Sequence, residues 1–298
     1  MKVLVNIARV IVGLLFIFSG LVKANDPLGL SYKMQEFFDV WAQNPSLTNL
    51  MHWLDNYALA FSIIMITLEI VVGVALLIGW SRRFISWMLL LLIIFFTFLT
   101  GYAVLSGKIR TCGCFGDCIP LTAMQSFIKD IVLFVLILIL LIGNKYIRPI
   151  LSGSLALFFL VLSTVTVLFF QWHVLRHMPS KDCLPYKKGS NLLELRKMPG
   201  DAIPDKVEFR FVYQKNGEKK EFAMDKLPDS TWTFVDRKDV VIEKGKNNEP
   251  PIKDLSINSL SGTDTTEALL STPEDYYLYF VKDVDKLNEE RLKDFSDL

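Results

Sequence analysis

Five stretches of this chain are each apolar over about the 20 residues that a helix needs to cross the hydrocarbon of a bilayer. They run Val3–Val22, Leu59–Gly79, Phe84–Leu105, Phe127–Gly143 and Ile150–Trp172. Lipid offers no partner to an unpaired peptide group, so segments of this kind cross as helices and not as open strands. Charge follows the same division. Residues 1–172 carry 18 charged side chains and residues 173–298 carry 45, which predicts a membrane part followed by a water-exposed part. Net charge is +1, without the basic footprint that nucleic-acid binding requires.

The first stretch has the positive start and apolar run of a signal peptide. It is long, holds Arg9, and ends at Lys23 without a small-x-small cleavage pattern, so the expectation is a retained helix. Orientation follows from lysine and arginine in short loops. Lys2, Arg82, Arg83, Lys145 and Arg148 fall on one face if all five spans are real, against Lys108 and Arg110 on the other. The expectation is a multi-pass protein of a bacterial inner membrane with a cytoplasmic N-terminus. The loop at 24–57, the loop at 106–122 and the C-terminal region are then periplasmic. Within the first of these loops, Met34, Phe37, Phe38 and Trp41 recur at helical spacing among polar residues, which predicts an interfacial amphipathic helix. A second short helix is expected over Leu47–Asp55.

Chemistry concentrates in residues 112–118, Cys-Gly-Cys-Phe-Gly-Asp-Cys, which hold three of the four cysteines. Exchange between thiols and disulfides needs an accessible thiolate and a second sulfur nearby. Cys112, Cys114 and Cys118 meet the proximity condition. A Cys114–Cys118 bond closes a relaxed ring and a Cys112–Cys114 bond a small, strained one. Cys183 follows the last span by 11 residues, an extended reach of roughly 36 Å, which also brings it within range of the loop. Three readings stay open: a redox-active dithiol, a structural disulfide that pins the loop, and a metal or iron–sulfur site. The last has the least support, since Cys-x-Cys-x₃-Cys matches none of the usual ligand spacings.

Four segments, FSGLVKANDPLG (18–29), LEIVVGVALLIG (68–79), CGCFGDC (112–118) and QSFIKDIVL (125–133), resemble the DoxX/MauE family of membrane proteins. The likeness is to members with an additional periplasmic domain. The resemblance implies a four-helix membrane bundle similar in layout to DsbB and vitamin K epoxide reductase. It also implies a link to methylamine utilisation, where MauE supports maturation of a disulfide-rich dehydrogenase subunit. By position, Cys112 and Cys114 fall on the family's Cys-Gly-Cys-Phe-Gly motif.

Ionisable groups inside a membrane span are costly and are functional candidates by default. Glu69 stands in the middle of the second span and reads either as a proton relay for a quinone or as a structural partner of Lys23 or Lys129. Lys129 and Asp130 fall in the first turn of the fourth span, where snorkelling to the interface also accounts for them. His173 and His177, four apart, are two metal ligands at most, and beside Trp172 an interfacial anchor explains them better.

Beyond the last span, Val207–Gln214 and Lys219–Met224 predict a hairpin around Asn216-Gly217. Thr231–Val235 and Val240–Glu243 predict a second pair turning at Asp236–Asp239. Further expectations are strands at Asp254–Ile257 and Tyr276–Val281 and a helix at Leu287–Phe295, an incomplete thioredoxin-like arrangement. The expected architecture is an α-helical membrane protein. It comprises a DoxX/MauE-like four-helix bundle (1–148) with a fifth transmembrane helix (149–172). A connector with a small β module (173–252) and a strand–helix segment (253–298) complete it. The expected function is thiol–disulfide redox chemistry between a periplasmic thiol-containing protein and a membrane quinone. Cys112, Cys114, Cys118 and Cys183 are the reactive sulfurs, and Glu69, Lys23 and Lys129 are candidates for the quinone end. The rival is a membrane scaffold or assembly factor with fixed bridges. The lipid bilayer is an expected partner, and nucleic acid is not.

Overall fold

The computed structural model describes the chain apart from residues 108, 110–112, 114, 115, 117, 120, 188, 216, 225, 244, 246, 254, 274–292 and 294–298. It contains two compact units, Met1–Leu184 and Pro185–Leu298.

Among the described residues, five helices are long and apolar enough to cross a membrane. They are α1 (Lys2–Ala24), α4 (Ala58–Ile78), α5 (Arg82–Ser106), α6 (Ala123–Ile142) and α7 (Gly153–His177). Between α1 and α4 lie α2 (Pro27–Ala42) and α3 (Thr48–Asp55), close to the two amphipathic segments expected from the sequence. Local chemistry fixes the ends. Asp26 caps α2 by accepting from the Gly29 N–H (2.9 Å), with Pro27 at the first helical position. Gly79 ends α4 in the left-handed region at φ 79°. Helix α6 begins four residues before Phe127, because Thr122 and Gln125 form a reciprocal capping box there.

Helices α1 and α4 approach so closely that small residues are required. A Cβ on Gly73 would stand 2.9 Å from Ile17 Cγ1 and 3.0 Å from the Gly13 carbonyl oxygen. Such contacts replace the hydrophobic driving force that lipid does not supply. Val5, Val12 and Phe16 of α1 share one buried cluster with Leu76 of α4, Leu89 and Ile93 of α5, and Ile137 of α6. Helix α7 leans on α4, where Gln171 Nε2 donates to Thr67 Oγ1 (3.0 Å).

The two ends of this unit are tied differently. At one end the guanidinium of Arg9 donates to the carbonyls of Leu76 (2.8 Å), Leu77 (2.6 Å) and Arg148 (3.0 Å). It thereby satisfies the Leu77 carbonyl near the end of α4 and adds a second donor to that of Leu76, which also accepts from the Gly79 N–H (3.1 Å). At the other end Asn25 exchanges two hydrogen bonds with the backbone of Lys181 (2.8 and 3.1 Å). A disulfide there joins Cys118 to Cys183.

In the second unit, β1 (Lys206–Lys215), β2 (Glu218–Ala223) and β3 (Thr233–Glu243) form an antiparallel sheet in the order β2-β1-β3. The β1–β2 hairpin turns where expected, with Lys215 opposite Glu218. The expected second pair does not form, because β3 runs straight through Asp236–Asp239. Asp236 stands opposite Val212 and Asp239 opposite Phe209. The charged run looked like a turn, but it is a solvent-facing strand surface whose charges are paired locally, Arg237 with Asp239 and Lys238 with Glu221. A register shift between Val212 and Tyr213 accommodates it. Residues 255–257 are also not in a strand. The Ile257 N–H donates to Thr266 Oγ1 (2.7 Å) and the Ile257 carbonyl accepts from the Thr265 N–H (2.9 Å), leaving neither group for a sheet partner. The expected strand at 276–281 lies outside the described residues, as does the helix at 287–295 apart from Lys293.

Candidate functional site

Helices α1, α4, α5 and α6 each contribute polar groups to one cluster inside the bundle. The Lys23 ammonium bonds both carboxylate oxygens of Glu69, at 2.9 and 2.8 Å, and the two side chains are only 3% and 5% exposed. Ser19, one turn before Lys23 on α1, donates to Glu69 Oε1 (3.1 Å). The ammonium also lies 4.7 Å from the centre of the Phe96 ring. Of the readings open for Glu69, the geometry adopts pairing with Lys23. The long lysine stem lets a group at the end of α1 reach a carboxylate deep in α4.

Asp130 departs from expectation. Since α6 starts at Ala123, Asp130 lies two turns inside the helix and not in its first turn. It is fully buried, so snorkelling does not describe it. Its Oδ2 accepts from Thr100 Oγ1 of α5 (3.0 Å), and its Oδ1 lies 2.8 Å from the Lys129 ammonium. That second contact has ion-pair distance without hydrogen-bond direction. Glu69, Ser19, Lys129 and Asp130 border one small cavity of about 20 Å³, space for a single water. Neither Thr100 nor Ser19 was singled out from the sequence. The available signal was a hydroxyl one helical turn from a lysine within a span, as in Ser19 and Lys23.

Gly113 and Gly116 of the cysteine loop sit beside Lys23 of this cluster. A Cβ on Gly113 would lie 3.1 Å from Lys33 Cγ, and one on Gly116 would lie 3.6 Å from Val22 Cγ1. Both glycines have positive φ, 63° and 57°, the region that glycine occupies without strain, and the Gly116 N–H donates to the Gly113 carbonyl (3.0 Å). A small cavity of about 10 Å³ touches Lys23, Asp26, Lys33, Gly113 and Gly116 together. Cys118 and Cys183 are 65 residues apart in sequence with Cα atoms 5.0 Å apart. Cys118 is therefore bonded to Cys183 and not to Cys114. Cys112 and Cys114 themselves lie outside the described residues. The His173 and His177 rings stack with centres 4.4 Å apart, and the described residues contain no group of three or more His, Cys, Asp or Glu placed to hold a metal.

Residues 1–143 match the family model described as methylamine utilisation protein MauE. Residues 1–143 are a membrane region of the DoxX/MauE type. Residues 207–244, which span the three strands, match a domain of unknown function (DUF8463). No curated protein matches the chain, and no solved structure does. The DoxX/MauE match includes all four helices that supply the buried cluster, together with the whole cysteine loop. Cys183 and α7 lie beyond it.

Proposed function

We propose that this DoxX/MauE-type protein is a thiol–disulfide redox protein of a bacterial inner membrane. Its loop cysteines oxidise a periplasmic dithiol protein and pass the electrons to a membrane quinone. The observation that carries this reading is the Cys118–Cys183 bond. With four cysteines in the chain, that bond leaves Cys112 and Cys114 as the remaining pair, one residue apart in an oxidising compartment. The positive residues Lys2, Arg82, Arg83, Lys145 and Arg148 support a cytoplasmic position for the end opposite the cysteines.

The chemistry balances in two steps. The Cys112–Cys114 disulfide takes two electrons and two protons from the partner dithiol, whose own disulfide forms. The resulting Cys112 and Cys114 thiols then reduce a quinone to its hydroquinone and close again. Cys118 and Cys183 hold the loop against the end of α7 or act as a second disulfide through which electrons pass. Lys23, Lys129 and Glu69 supply fixed charge, and a place for protons, beside the loop. The family description favours a disulfide-rich partner of the kind that methylamine utilisation requires.

The same Cys118–Cys183 staple favours a second reading, a membrane scaffold or assembly factor with a structural bridge. Thiol trapping of the full-length protein separates the two. A redox protein shows mixed oxidation of Cys112 and Cys114 that shifts when dithiothreitol or quinone is added, and Cys112→Ala abolishes oxidation of a model dithiol peptide. A fixed pattern, with peptide oxidation unchanged by the substitution, leaves the scaffold.

A further inference from the structure

Helix α2 covers the bundle without closing on it. Between it, α3, α4 and α5 lies a chamber of about 310 Å³, inside the range of roughly 300–1,000 Å³ typical of small-molecule sites. Its wall is apolar and largely aromatic: Phe37, Phe38 and Trp41 of α2, Phe61 and Met65 of α4, and Leu99 of α5. Trp41 is held by neighbouring rings, with centres 5.7 Å from Phe37, 6.1 Å from Phe98 and 5.7 Å from Tyr102.

The chamber has a polar continuation. Phe37 and Leu99 also border a narrower space of about 30 Å³ whose other walls include Lys23, Lys33, Thr100 and Gly113. The next small cavity shares Lys23, Lys33 and Gly113 with it. Side chains common to successive spaces thus place the aromatic chamber next to two lysine side chains and the glycine of the Cys-Gly-Cys sequence. Both lysines are ion-paired, Lys23 with Glu69 and Lys33 with Glu36 (2.8 Å), and each ammonium has three N–H donors, more than its carboxylate needs.

An occupant that suits both ends is flat and apolar, with hydrogen-bond acceptors directed at the cations and an accessible reduction by two thiols. We propose that the chamber is the seat of an isoprenoid quinone, with its ring against the α2 aromatics and a carbonyl oxygen toward Lys23 and Gly113. This rests on the redox reading and adds the location of its electron acceptor. On reduction two S–H bonds break, one S–S bond forms, and the two electrons and two protons complete the hydroquinone. A phospholipid acyl chain is also apolar enough for the chamber, and its phosphate would pair with a lysine, but it gives the loop thiols no electron acceptor.

The test uses the full-length protein in nanodiscs with decylubiquinone as the probe. Quinone binding is read as saturable fluorescence quenching that is absent from Trp41→Phe. The expected result is saturable quenching in the wild type and at least tenfold weaker affinity in both Met65→Phe and Leu99→Phe, which fill the chamber from different helices. Retention of the Cys118–Cys183 bond, checked by peptide mapping, shows that each variant has folded. Wild-type affinity in both folded variants overturns the inference, as does displacement of the quinone by an equal concentration of phosphatidylglycerol. Absence of saturable quenching while Cys112 and Cys114 still exchange with a dithiol peptide overturns the chamber and spares the redox reading. Saturable quenching that is lost in the filled variants, with inert loop thiols, upholds the chamber and ends the redox reading.

Discussion

The two units treat the same kind of ion pair in opposite ways. In the membrane unit, Lys23 and Glu69 are 3% and 5% exposed. In the sheet, Lys238 and Glu221 are 54% and 40% exposed. Each pair joins an ammonium to a carboxylate within contact distance, yet the consequences differ because the surroundings do. Water already solvates the sheet pair, so bringing its charges together adds little. Inside the bundle each charge has lost its hydration and depends on the other, so removing one partner is far more damaging than removing both. Geometry alone therefore ranks the two pairs as equals, while burial separates them.

The largest expected effect follows from that asymmetry. Lys23→Met leaves the Glu69 carboxylate in the bundle with Ser19 as its one remaining donor among the described residues, which should cost roughly 3–5 kcal/mol of stability. The double variant Lys23→Met with Glu69→Gln removes the stranded charge and should recover most of that loss. Unfolding of the detergent-solubilised protein by a denaturing surfactant checks both. Equal losses in the single and double variants would mean that Lys23 acts through packing against Phe96 and not through its charge.

An intermediate effect is expected at Arg9, a buried cation whose partners are backbone carbonyls. The planar fork reaches three carbonyl oxygens on two segments. Lysine keeps the charge but cannot reproduce that geometry. Arg9→Lys should lose at least one charge-assisted hydrogen bond, about 2 kcal/mol, seen as a lower Tm with unchanged redox behaviour at the distant cysteines. A variant as stable as the wild type would show that the cation matters and its fork does not.

How much of this was legible follows from what sequence patterns encode. The five spans were legible because a bilayer demands length and apolarity, which composition reports directly. The amphipathic helix over Met34–Trp41 was legible through its period. Asp130 was misplaced because an apolar run marks where lipid begins, whereas the start of α6 is set by the Thr122–Gln125 box outside that run. The β3 strand was misread because Asp236-Arg237-Lys238-Asp239 has the composition of a turn, and only cross-strand partners such as Glu221 make it a strand surface. Glu69 was recognised as a candidate from its cost in lipid. Its choice of Lys23 over Lys129 depended on how α1 and α4 pack through Gly13 and Gly73, which no local pattern states. The apolar chamber under α2 could not be read at all, since it is made by four helices that are far apart along the chain.

The smallest effect belongs to the sheet. The Lys238 hydrogen bond, and then its charge, hold the Glu221 carboxyl below the usual carboxylate range, while Glu221 raises the Lys238 ammonium in return. A carboxyl whose folded pKa is depressed contributes stability that is present above its unfolded value, about 4.3, and is lost as pH falls through the folded pKa. A raised lysine contributes stability that is complete below about 10.4 and is lost as pH rises past the folded value. Protection of the strand amides should therefore be flat across neutral pH and weaken at both extremes, most simply seen at the acidic one. Hydrogen exchange in the full-length protein, corrected for the intrinsic pH dependence, measures it along β1, β2 and β3. Glu221→Gln should flatten the Glu221 part of the acid limb while leaving a residue from Asp229, whose carboxyl is also depressed, by the Thr231 hydroxyl and backbone. A change at pH 7 as large as that of Lys23→Met in the bundle would contradict the ranking by burial, because a solvated pair would then be contributing as much as a dehydrated one.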